Sequence, residues 1–219
     1  MALAAQGARL CLVGRKLETL QSVVEITRSE ASRHQCYQVD LGVGAQVDQL
    51  VADITRDQRF VDILFHSAGV IWTGPLETST ADQLDGQYQV NLRAPYVLTR
   101  GLLPALKSRQ GQVVFVNSSA GLAAKANAGQ YAASKHALKA LADSLREEVN
   151  PAGVRVLSLF LGRTASPMQA AVHAMEARAY RPELLMQPDD VAAAAVNALS
   201  LPRSAEITEI SMRSLLKSY

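Results

Sequence analysis

The sequence predicts an α/β fold with a doubly wound, mostly parallel sheet flanked by helices. Three observations carry this. Short apolar, β-branched runs alternate with helical stretches along the whole chain, and such alternation implies crossover connections with helices on both faces of the sheet. The 219 residues suffice for one domain with a sizeable core. Apolar residues make up 48% and charged residues 19%, a balance that excludes a disordered chain.

Element by element, Met1 to Gln6 reads as the last turns of a helix closed by Gly7 as its C-terminal cap. Strands are expected over Arg9 to Val13, His34 to Val39, Val61 to Phe65, Gln112 to Val116, Val154 to Leu161 and Glu206 to Ile210. Helices are expected over Leu17 to Glu30, Ala45 to Asp57, Ala81 to Lys107, Tyr131 to Val149 and Asp189 to Leu199. Pro151-Ala152-Gly153 and Gln187-Pro188 punctuate helices rather than divide domains, so residues 1–219 are expected to form a single domain. A doubly wound sheet ordinarily opens with a strand and a glycine-rich turn at a helix N-terminus. Nothing ahead of Ala8 supplies them, so the first strand is expected to be missing, with its phosphate loop.

Several function classes are disfavoured. The 22 Lys and Arg against 20 Asp and Glu give a net charge of +2. They are scattered, without interleaved aromatics, so no nucleic acid is expected as partner. No apolar run approaches the roughly 18 residues of a membrane helix, and the start lacks the pattern of a signal peptide. Cys11 and Cys36 lie in apolar, strand-like segments and read as reduced core thiols of a cytoplasmic protein. No metal is expected, because His34 and Cys36 find no further ligand pair. Gly-x-Ser-x-Gly and Walker motifs are absent.

Three segments carry candidate chemistry. In Tyr131-Ala132-Ala133-Ser134-Lys135, helical periodicity puts Lys135 on the apolar face formed by Leu138, Ala142, Leu145 and Val149. An unpaired ammonium is costly there. A part-buried cation one turn from a phenol lowers its pKa toward neutrality, which suits a general acid/base. The plain alternative, a core tyrosine with a snorkelling lysine, stands about level on spacing alone. In Val113 to Gly121, a buried strand runs out into Ser118 and Ser119 at the carboxyl edge of the sheet, where open α/β sheets bind ligands. Ser118 can donate to a carbonyl oxygen there, or simply cap a turn. In Asn91-Leu92-Arg93-Ala94-Pro95, Pro95 lacks the N–H that would serve the carbonyl of Asn91. A kink that holds a water and a functionless kink both fit.

Together, Asn91, Ser118, Tyr131 and Lys135 resemble the catalytic tetrad of the short-chain dehydrogenase/reductase (SDR) family, a Rossmann-like fold. The resemblance runs from Met1 to about Ile210. It includes Asp62-Ile63-Leu64 with Ala68-Gly69, Val154-Arg155-Val156, and Gly162 with Ser166-Pro167-Met168. It implies an oxidoreductase that interconverts a carbonyl and a secondary alcohol by hydride transfer. Tyr131 would be the acid/base, and Lys135 would tune it and bind the nicotinamide ribose. Ser118 would orient the substrate oxygen, and Asn91 would hold a relay water. Asp40 matches the adenine-contacting acid, while Ser67, Ala68, Gly69, Thr164 and Ser166 fall in cofactor-contacting loops. Arg15 stands where members that prefer NAD carry an acid, and a guanidinium suits the 2′-phosphate of NADP; a solvated loop arginine is the alternative.

The chain departs from the family at His66-Ser67, in place of Asn-Asn, and at Phe160-Leu161, in place of Ser-Pro. The stretch from Ile207 to Tyr219 lacks the usual terminal Gly-Gly and ends basic. Two readings follow: an NADP-dependent reductase whose natural chain starts earlier, or a non-catalytic relative unable to hold a dinucleotide. Ile71, Trp72, Leu122, Met168 and the segment Ala170 to Met186 are expected to line an apolar substrate pocket. A homodimer is expected through Ala81 to Lys107 and Tyr131 to Val149, with Ala133, Ala137 and Ala140 permitting close approach.

Overall fold

The computed structural model describes residues 1–27 and 34–215. Six strands are described: β1 (Cys11–Gly14), β2 (Gln35–Gln38), β3 (Ile63–His66), β4 (Gln112–Ser118), β5 (Arg155–Leu161) and β6 (Glu209–Met212). Eight α-helices accompany them: α1 (Ala2–Ala5), α2 (Leu17–Thr27), α3 (Gly44–Asp57), α4 (Ala81–Tyr88), α5 (Ala94–Ser108), α6 (Gly129–Val149), α7 (Pro167–Met175) and α8 (Pro188–Leu199).

All pairings between these strands are parallel, in two groups: β1 with β2, and β3-β4-β5-β6 in that order. No described strand joins the two groups. Both nevertheless rest on one core, because Val13 of β1 and Leu64 of β3 pack against the cluster that holds Val113, Phe115, Val154 and Val156. The strand period of two explains the layers. Val113 and Phe115 face α3, α5 and α6, whereas Val114, Leu157 and Leu159 face Ala195, Ala198 and Leu199 of α8. Leu3 of α1 joins this second side. The expected short helix at the start is present, and Gly7 closes it at φ +86°, a conformation that costs glycine little.

Three expectations need correction. The single helix foreseen over Ala81 to Lys107 is α4, a π-helical turn at Gln89–Arg93, and α5. A proline at the second position of α5 withholds its N–H, so the ladder widens by one residue instead of only bending. Cys11 is exposed and Cys36 half-buried, both free, so neither is a core thiol. β1 is covered less than β4 or β5 because it belongs to the two-stranded group. Helix α7, capped by the Ser166 hydroxyl, was not expected from the pattern. The end of the helix foreseen to Glu30 and the last four residues of the basic tail lie outside the described residues. Among the described residues, no helix is long and apolar enough to cross a membrane.

Candidate active site

The carboxyl end of β4, the first turns of α6 and the π-helical turn converge on one place. Helix α6 buries Lys135, Leu138, Ala142, Leu145 and Val149, the stripe that helical periodicity foresaw, and with them Ala132, Ser134 and Arg146. Lys135 is therefore only 5% exposed. Its Nζ donates to the Val116 carbonyl at 3.0 Å and lies 5.9 Å from the centre of the Tyr131 ring. Desolvation lowers the Lys135 pKa to about 8.

Asn117, at the end of β4, holds the backbone of α6: its Nδ2 donates to the Lys135 carbonyl at 3.1 Å. Gly121 makes this close approach feasible, since a Cβ there would lie 2.5 Å from Asn117 Oδ1 and 2.9 Å from the Lys135 carbonyl. Ser118 Oγ accepts from the Ala120 N–H at 3.1 Å and so caps the short turn Ser119–Gly121. That bond uses an oxygen lone pair and leaves the hydroxyl proton available. The serine is thus a turn cap and a candidate donor at once.

Burial raises the Tyr131 pKa above its ordinary value, and a side-chain hydrogen bond with Ser118 offsets part of the rise. The expected lowering of the phenol by Lys135 is not what the geometry produces. Burial is the largest cause of the shift, and the Lys135 ammonium is turned to the Val116 carbonyl.

Asn91 is 1% exposed. Its Oδ1 accepts from the Val70 N–H at 2.9 Å, while Nδ2 donates to the Val70 carbonyl at 2.9 Å and to Ser134 Oγ at 3.1 Å. The amide is engaged in pinning the loop after β3, and Pro95 has no N–H to offer the Asn91 backbone carbonyl four residues back. Sequence reasoning missed Ser134 and Asn117 as partners. The available signals were a hydroxyl one turn beyond Tyr131 and an amide ending an apolar strand.

The residues expected at a cofactor fall into three places. Arg15 and Asp40 line one open pocket with Gln38, Val39 and Gln46, beyond the ends of β1 and β2. Asp40 Oδ1 accepts from the Gly42 N–H at 2.8 Å, and the Arg15 side chain is exposed. Ser67, Ala68 and Gly69 follow β3, the first two exposed. Thr164 and Ser166 follow β5, where Ser166 Oγ accepts from the Gln169 N–H at 3.1 Å.

A nicotinamide dinucleotide fits part of this arrangement. A Cβ on Gly69 would stand 3.3 Å from Asn91 Oδ1 and 3.9 Å from Lys135 Nζ, so bare backbone leaves room above the lysine. Among the described residues, no Gly-x-x-x-Gly-x-Gly turn opens a helix to cradle phosphates.

Comparison with known proteins identifies the family. The family model for short chain dehydrogenases matches residues 1–177. An uncharacterized NAD-dependent oxidoreductase of Mycobacterium tuberculosis is 32% identical over 189 residues, covering 80% of this chain and 69% of that protein. A metagenomic short-chain oxidoreductase solved with NADP superposes with a TM-score of 0.82 at 27% identity, covering 99% of this chain and 90% of the other. An alcohol dehydrogenase of the archaeon Thermococcus sibiricus, solved with 5-hydroxy-NADP, shares the fold. Its TM-score is 0.88 at 22% identity, covering 100% of this chain and 91% of that one. The chain belongs to the short-chain dehydrogenase family. By class it is an NAD(P)-dependent oxidoreductase.

Proposed function

We propose that the protein interconverts a carbonyl compound and a secondary alcohol, with Tyr131 as the acid/base and NADP preferred over NAD. The observation that carries this is the convergence of half-buried Tyr131 and buried Lys135, with Ser118 hydrogen-bonded to the Tyr131 side chain and Ser134 joining the Tyr131 carbonyl to Asn91. Ser118 donates its hydroxyl proton to the carbonyl oxygen and orients it. Tyr131, kept protonated by burial, gives its proton to that oxygen as the alcohol forms. Lys135 binds ribose hydroxyls, and the Asn91 carbonyl holds the water that returns a proton toward Lys135. Once bound, the dinucleotide supplies the electron pair that reduces the carbonyl carbon. Arg15 and Asp40 hold its adenosine half, and the charge of Arg15 favours a 2′-phosphate. Ser67, Ala68, Gly69, Thr164 and Ser166 border its nicotinamide half.

The same reading takes residues 1–219 as one domain and the protein as a homodimer. Ala133 and Ala140 on the outer side of α6 are exposed and small, which suits close packing of a second copy. Free Cys11 and Cys36 suit a reducing cytoplasm. Tyr131→Phe tests the central assignment. NADPH-dependent ketone reduction should fall by about 10²–10⁴-fold with nucleotide affinity retained, because the phenol moves a proton and supplies little binding. Unchanged turnover would refute it. A second reading is a relative that keeps the tetrad and holds no dinucleotide. Nucleotide titration separates the two.

A further inference from the structure

We propose that Gln87 is a positioning residue that clamps the segment Val70 to Gly74 against the start of α6 and so fixes Trp72 as a wall of the substrate site. The inference rests on the carbonyl-reductase reading for its substrate and on local geometry for the clamp.

Gln87 lies in α4 with no exposed surface at all, although its side chain is an amide. A buried amide persists where its hydrogen bonds are made. Its Oε1 accepts from the Trp72 backbone N–H at 3.1 Å. Its Nε2 donates to the Gln83 carbonyl at 3.3 Å and to Gln130 Oε1 at 3.2 Å. The orientation is forced, because a backbone N–H only donates and a backbone carbonyl only accepts. Gln130 must then present its oxygen, and it directly precedes Tyr131 in α6. One amide therefore joins the candidate substrate loop, α4 and the helix that carries the acid/base.

The segment is held on either side of this point as well. Asn91 takes both backbone groups of Val70, and the Gly74 N–H donates to the Asn127 carbonyl at 2.8 Å. The indole of Trp72 lies against Gly86, where a Cβ would stand 3.2 Å from Cη2 and Cζ3. Trp72 is still 37% exposed, so part of the ring is free to meet an apolar substituent of the substrate. The wall is then set by Gly86 beneath the ring and Gln87 behind its backbone.

Trp72 is the only tryptophan of the chain, so its fluorescence reads the clamp without any turnover. In the full chain, Gln130→Ala removes the acceptor for Gln87 Nε2 at a half-buried position, and Gln130→Glu restores an acceptor oxygen. Acrylamide quenching of Trp72 should rise about two-fold in Gln130→Ala and return to the parental value in Gln130→Glu. Gln87→Leu, which frees the Trp72 N–H itself, should exceed both. If Gln87→Leu does not fold, the Gln130 pair decides. With an aryl methyl ketone, Gln130→Ala should raise KM about five-fold with kcat within about two-fold, leaving acetone unaffected. Quenching that is identical in the parent, Gln130→Ala and Gln130→Glu would overturn the clamp. Absence of ketone turnover in the parent would overturn the reductase reading, while the quenching pattern would still decide the clamp.

Discussion

Lys135→Met removes a buried ammonium and keeps a side chain of similar length, so it separates the cost of the site from its use. The Lys135 pKa is lowered from 10.5 to about 8 by desolvation, and the residue is 5% exposed. A depression of that size corresponds to about 3 kcal/mol borne by the native state wherever the lysine is charged. Between about pH 8 and 10.5 the unfolded chain holds this proton and the native chain has released it. Native stability therefore rises with pH through that window, and the penalty is fully present below it. Allowing about 1 kcal/mol for the lost hydrogen bond to the Val116 carbonyl, Lys135→Met should be more stable than the parent by about 2 kcal/mol at pH 7. The advantage should vanish near pH 10. Urea denaturation of both chains at a series of pH values measures this. A variant less stable at pH 7, or a difference that does not change between pH 8 and 10, would refute the account of Lys135 as a desolvated cation. The same variant should lose ketone reduction.

Other outcomes follow from the same geometry. Arg15→Ala should reduce the preference for NADPH over NADH by about ten- to hundred-fold, read from the ratio of dissociation constants, because one charge-assisted contact to phosphate is lost. Because burial raises the Tyr131 pKa, the phenol is protonated throughout the neutral range. Carbonyl reduction should hold constant across neutral pH, while alcohol oxidation, which needs phenolate, should climb with pH into the alkaline range; a rate–pH profile in both directions checks it. Sedimentation at micromolar concentration should give a dimer, and a monomer alone would count against the proposed packing of α6.

The candidate site was legible where local chemistry determines it. Periodicity placed Lys135 among Leu138, Ala142 and Leu145 because a stripe every three to four residues is a property of the helix itself. Pro95 marked the break at Asn91 because a missing N–H acts four residues back, and the π turn stands there. What escaped the sequence was non-local. Cys11 sits in an apolar run, yet its exposure depends on which strands lie beside β1. The rise in the Tyr131 pKa depends on burial and on where the Lys135 ammonium points, neither of which spacing encodes. Gln87 meets Gln130 across 43 residues, and α7 has only a weak apolar period to betray it.

The central claim is that this member of the short-chain dehydrogenase family reduces a carbonyl with NADPH as its preferred nucleotide. Calorimetric titration of NADPH tests it most directly, on the 219-residue chain and on a version preceded by a β-strand and a Gly-x-x-x-Gly-x-Gly turn. The present chain should bind NADPH more tightly than NADH through Arg15, Asp40 and Lys135, and the extended version should bind it more tightly still, since the added turn offers backbone donors to the phosphates. Binding in neither version would contradict the account.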